Sequence, residues 1–317
     1  MTIEGNDPGL VVTEADDGFH PPTSDDPTWI ETAWFPLWLP ERDVSVHTRV
    51  WFRPNEGRQG GAVTAWTGEN RYLAHDGWDD ALDAVGDAPP SLRDLRLANG
   101  FHLECLEPLH RYRIRHRTDR VELDVEFESC MEPNPVPPEE SPGMFDGHLE
   151  QPGRVTGRVR LGADWFDVDC PTVRDRSWGP RTMRPGLRLG NAHGTTLDGR
   201  SFFAYVNPVA GREPVTGGYW LVDGRAARLI AGERRTELDG DFPRRVVIEA
   251  TDAAGRHLRA EGTCRNRQAV DAGHDLYAVL NLVQWDLGSG EDGWGENHDI
   301  WSATDWVAAG RAPLGRR

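Results

Sequence analysis

From Trp29 onward, short apolar runs alternate with turn signals, a pattern of many strands rather than helices. Two stretches carry enough alternation to predict a register. Val121, Leu123, Val125 and Phe127 alternate with Glu122, Asp124, Glu126 and Glu128, while Tyr112, Ile114 and His116 alternate with arginines 111, 113, 115 and 117. A tight turn at Thr118-Asp119 sets Ile114 opposite Leu123 and Tyr112 opposite Val125. It also sets Arg115 against Glu122, Arg113 against Asp124 and Arg111 against Glu126, so both faces agree. The second stretch, Arg154 to Cys170, repeats the device. A turn at Ala163-Asp164 pairs Leu161 with Phe166, Val159 with Val168, Arg160 with Asp167 and Arg158 with Asp169. A basic strand opposite an acidic one is a solvated face. An antiparallel sheet with one apolar face closes most simply into a barrel.

Asp198-Gly199 and Asp223-Gly224 mark further hairpins. Later strands are expected at 201–207, 217–222, 245–251, 257–264, 275–287 and 298–307. Helix is expected only at Asp79–Ala84 and Ser91–Leu97, interrupted by Pro89-Pro90. The Pro-rich stretch Glu132–Pro142 cannot be a central strand and reads as a linker or lid. At 317 residues the chain exceeds what one core usually serves, so the pattern predicts an all-β protein of two consecutive antiparallel barrels. An extended arm, 1–27, precedes barrels at 28–150 and 151–317.

Charge narrows the partners. With 35 basic and 52 acidic residues, the net charge of −17 argues against nucleic acid and anionic membranes. No apolar run approaches a membrane span and the N-terminus lacks a signal-peptide pattern, so a cytoplasmic location and no membrane insertion are expected. The excess of Trp, 13 against 5 Tyr, suits a large apolar interior and a hydrophobic small-molecule partner. The four cysteines are too far apart for a zinc knuckle or a redox pair. Glu296, Asn297, His298 and Asp299 read as a polar hairpin loop rather than metal ligands. His193 and His298 read as structural. With no phosphate loop, HExxH or GxSxG, neither cofactor nor metal is signalled.

The densest cluster spans Asp146 to Arg181. His148, Gln151, Gly153, Arg154, Val155, Thr156 and Gly157, followed by Arg174, Asp175, Arg176, Ser177, Trp178 and Gly179, resemble the signature of the tandem lipocalin-like (calycin) family. That family includes carotenoid 1,2-hydratases, plant-isoflavonoid hydratases and fungal lipocalin-like Diels–Alderases. FHPP and DPTW near the N-terminus, with Phe101 to Tyr112, resemble an uncharacterised bacterial branch. The resemblance implies that both barrels are lipocalin-like. It also implies Asp175 at the position of the hydratases' proton-donating aspartate, with His148 as the upstream histidine. Two positions depart from the hydratases: Arg176 stands where they carry His, and Val173 where they carry an aromatic residue.

Hydration of an unactivated alkene needs a carboxylic acid kept neutral in a dry site, and aromatic faces against which a cation can rest. The expected set is Asp175 and His148 as catalytic residues, with Trp178, Trp220, Gln284 and Trp301 lining the substrate. The function this predicts is cofactor-independent hydration or dehydration, isomerisation or cyclisation of a terpenoid, polyketide or steroid-like molecule. A non-catalytic carrier of a hydrophobic ligand is the alternative. A second alternative makes Asp175, Arg174, Arg176 and Arg181 a buried ion-pair knot between the barrels. Strand alternation would separate Asp175 from both flanking arginines.

Overall fold

The alternating pattern resolves into two antiparallel sheets in the computed structural model, which describes residues 3–82, 92–140, 143–181, 188–273 and 276–315. The first sheet holds β1 (Trp29–Leu39), β2 (Val44–Arg53), β3 (Arg58–Thr67), β4 (Arg71–Ala81), β5 (Asp94–Arg96) and β6 (His102–Glu107). It continues with β7 (Arg111–Arg117), β8 (Val121–Ser129), β9 (Asn134–Pro135), β10 (Gly147–Leu161) and β11 (Asp164–Pro180). Their order is β4-β3-β2-β1-β11-β10-β8-β7-β6-β5, with β9 on the side of β10. Among the described residues β4 and β5 are unpaired edges, so this sheet is a half-barrel.

The second sheet begins at β12 (Arg188–Thr195), followed by β13 (Ser201–Val206), β14 (Val215–Val222), β15 (Arg225–Asp239) and β16 (Phe242–Asp252). Then come β17 (His257–Cys264), β18 (Gln268–Gly273), β19 (Leu276–Asp286), β20 (Asp292–Ser302) and the short helix α1 (Ala303–Ala308). Pairing of β17 with β19 closes eight of these strands into a barrel, and β18 extends it. The protein is therefore all-β, with two lipocalin-like units, one open and one closed. No described helix is long and apolar enough to cross a membrane.

Several expectations need correction. The sheets divide between Pro180 and Arg188, not near 150, because β10 and β11 both complete the first sheet. Both hairpin registers are off by two. Ile114 faces Val125 and Val159 faces Phe166, with turns tipped by Asp119-Arg120 and Gly162-Ala163. A slip of two keeps every side chain on its face, so alternation cannot detect it. The long side chains lean diagonally and recover two of the expected ion pairs, Arg111–Glu126 and Arg113–Asp124. Asp79–Ala81 ends a strand and Asp94–Arg96 is one, while 83–91 lie outside the described residues. The expected loop around Glu296 is a strand, and the strand expected at 298–307 ends at Ser302.

The Pro-rich stretch packs as a strap against the second barrel. Glu140 is buried there, accepting the Gly218 amide at 3.0 Å and pairing with Arg228 at 2.7 Å. A Cβ on Gly217 would collide with the Glu140 carboxylate, so glycine makes room for this contact.

The N-terminal arm is folded rather than simply extended. Thr13 caps a 3₁₀ turn, Glu14–Asp17, and Asp17 is sealed inside the half-barrel. Asp17 accepts bonds from the Tyr112 hydroxyl at 2.6 Å and the Leu109 amide at 2.6 Å.

Candidate active site between the barrels

Strand β11 is central to the first sheet, and its two faces differ in kind. In antiparallel pairing, residues directly opposite share a face. Arg174 and Arg176 therefore point into the half-barrel with Leu149, Gln151, Ala33 and Phe35. Arg174 donates Nε to Gln151 Oε1 at 2.7 Å, lies over the Tyr112 ring at 4.4 Å and stands 3.6 Å from Asp17. Arg176 pairs with the fully buried Glu31 and donates to the backbone carbonyls of Asp16 and Gly18. The arm closes this face.

Asp175 lies on the other face. The register sets it beside Glu150 of β10 and Trp34 of β1, with Arg49 of β2 next in the row. This face meets the outer wall of the closed barrel. There His193, Phe203 and Tyr205 point outward, while Phe202, Ala204 and Val206 fill the barrel interior. The site thus lies between the two barrels.

Its electrostatics follow from partial burial of Asp175 beside fully buried neighbours. Among the described residues, no hydrogen bond or ion pair reaches the Asp175 carboxylate. Burial raises its pKa to about 6 against the opposing pull of Arg49, Arg181, His298 and Arg174. Glu150 is fully buried, and burial raises it well above the usual carboxylate range. It accepts the Tyr205 hydroxyl. His148 Nε2 lies 3.4 Å from Glu150 Oε1, and its ring stacks on Phe145. Burial lowers the His148 pKa to about 3, with Arg181 adding to the effect, so its imidazole is neutral. Arg181 donates to Ser177 Oγ at 2.7 Å and to the Met144 carbonyl.

A second polar group adjoins Asp175. His193 of β12 is directly opposite Glu296 of β20, and His298 follows two residues later on the same face. Glu296 Oε1 is 2.9 Å from His47 Nε2 of the first sheet, and Oε2 is 2.5 Å from His298 Nε2. These imidazoles hold the Glu296 carboxyl well below its usual range despite complete burial.

Of the sequence-selected residues, Asp175 and His148 share this face. The others do not gather there. Trp178 points into the half-barrel, where its indole stacks on His20 at 3.7 Å, so it is not the aromatic partner of Asp175. A Cβ on Gly147, opposite, would run into that indole. Trp220 fills the closed barrel, with even parity on β14 where Tyr219 faces out. Trp301 sits at the barrel end among Trp306, Arg188 and Arg311. Those two arginines line a charged groove of about 320 Å³, with Glu213, Arg234 and Asp299. Gln284 is half-buried on β19 opposite Trp294. Sequence reasoning missed Trp34, Arg49, Glu150 and Tyr205. Only Glu150, in the dense cluster, carried a local signal.

The fold and the site can now be set against known proteins. A family model for a domain of unknown function, DUF7064, matches residues 13–298. The chain belongs to this DUF7064 family. No curated protein matches it. Among solved structures, an AttH-designated protein of Nitrosomonas europaea superposes with a TM-score of 0.60 at 14% identity, over 86% of this chain and 92% of that one. Kievitone hydratase from Nectria haematococca superposes with a TM-score of 0.55 at 11% identity, over 95% and 96%. At these identities the likeness shows the shared fold.

Proposed function

We propose that this DUF7064 protein is a hydratase-type lyase acting on an apolar alkene at the inter-barrel site. The observation that carries the reading is Asp175: a half-buried carboxyl with no ion-pair partner among the described residues and a pKa raised to about 6. Such a group stays partly neutral near physiological pH and can donate a proton. One structural neighbour is by name a hydratase, and it supports this class over others the fold can host.

Asp175 gives its proton to one alkene carbon, and the cation on the other rests against the Trp34 ring. Water adds to that cation, held by the neutral His148 as hydrogen-bond acceptor. The adduct's extra proton returns to the Asp175 carboxylate, which restores the enzyme. Glu150 and Tyr205 form the neutral wall beside the acid. The acid–base steps need no group beyond the chain. Terpenoid, polyketide or steroid-like alkenes fit this chemistry.

The test is incubation with a panel of such alkenes in oxygen-18 water. Products carrying one labelled water with wild type, and none with Asp175→Asn, support the reading. A product that gains no label, or equal turnover by the variant, overturns it.

A further inference from the structure

We propose that His193, Glu296 and His298, joined by His47 from the other sheet, form a site for one divalent transition-metal ion that staples the two barrels. One ligand atom from each of the first three lies within 4.8 Å of the others, and His47 Nε2 stands 2.9 Å from Glu296 Oε1. Neighbouring donors on one ion at the usual ~2.1 Å are about 3 Å apart, so small adjustments suffice for those three, and His47 joins through Glu296. The strands impose the convergence. Glu296 and His298 share a face of β20 by their spacing of two, and His193 is the cross-strand partner of Glu296.

Charge requires a cation here. Glu296 is completely buried, and no arginine pairs with it among the described residues. One imidazolium would balance it, yet three imidazoles surround it. His193 decides between the two. It is 2% exposed, its Nε2 is sealed from solvent, and neither ring nitrogen has a hydrogen-bond partner among the described residues. A protonated His47 or His298 leaves His193 desolvated for no return. A metal ion uses it as the third imidazole.

The rings are also held for the purpose. His193 stacks on Phe203 at 5.3 Å, and Trp34 packs edgewise against His47, His193 and His298. Three imidazoles and a carboxylate suit zinc, cobalt, nickel or iron(II) rather than magnesium or calcium.

The proposal goes beyond the hydratase reading, and its readout is binding, so each can fail alone. Full-length protein stripped with chelator is titrated with Co²⁺ by visible absorption and with Zn²⁺ by competition calorimetry. We expect one ion per chain and a rise in the thermal midpoint on loading. His193→Ala and Glu296→Gln should each weaken Zn²⁺ binding by roughly 100-fold, while His257→Ala on the surface should not. Should the variants fail to fold, zinc-edge X-ray absorption of loaded wild type is expected to show at least two imidazoles in the first shell. No binding by wild type, unchanged affinity in folded variants, or a first shell with fewer than two imidazoles overturns the proposal.

Discussion

The two faces of β11 hold similar charges and treat them oppositely. Inside the half-barrel, Arg174 and Arg176 meet Asp17 and Glu31 and are closed over by the N-terminal arm. On the outer face, one residue away, Asp175 has no such partner among the described residues and its pKa moves to about 6. Buried charges that are paired hold structure, while a desolvated carboxyl without an ion-pair partner keeps a shifted pKa available for chemistry. The signature DRSWG therefore serves both ends, and strand alternation sorts its residues between them.

The comparison can be broken from either side. The largest effect is expected on the paired face. Arg176→Ala removes the guanidinium from the buried Glu31, leaving it only His20 among the described residues, and should cost about 3 kcal/mol in urea unfolding, with activity lost only as folding is lost. Asp175→Asn should do the reverse, lowering turnover by about 10²–10⁴-fold in a hydration assay while keeping the fold.

Stability against pH sharpens the contrast. The folded pKa of Asp175 is raised above its unfolded value, so the stability tied to its neutral form is full below about 3.8 and is lost as pH rises through about 6. Asp175→Asn should thus raise the thermal midpoint at pH 8 and leave it nearly unchanged at pH 3. Glu150→Gln should likewise raise the midpoint above about pH 4.5, and at least as strongly near neutrality, because burial keeps Glu150 neutral in the folded protein while the unfolded chain ionises it, and an amide still accepts the Tyr205 hydroxyl. The smallest effect is expected at the solvent-facing pair Arg113–Asp124, where Arg113→Ala should change stability by less than about 1 kcal/mol.

Much of this architecture was legible in the sequence. Period-two alternation placed most strands and the faces of both predicted hairpins, and the Asp223-Gly224 turn appears with both residues at positive φ. The register was not legible, because a two-residue slip preserves the pattern and only turn chemistry separates the choices. The division between sheets was hidden because the Pro-rich strap interrupts the first sheet without ending it. Asp175 and His148 were selected through the family resemblance, and the register places both on one face of the first sheet. Trp178 was chosen for nearness in sequence, and its odd spacing from Asp175 sends it to the opposite face. The cluster of His47, His193, Glu296 and His298 comes from three strands in two sheets, so no local spacing announces it.

The account rests on Asp175 being a carboxyl with no ion-pair partner among the described residues, its pKa raised to about 6 between the barrels. The most direct test is a carbon-13 NMR titration of aspartate carboxyls in chelator-treated protein, with the Asp175 signal assigned by its loss in Asp175→Asn. A midpoint close to 6 is the predicted result. A signal that stays ionised down to pH 4 would mean that an arginine holds the charge, and would contradict the account.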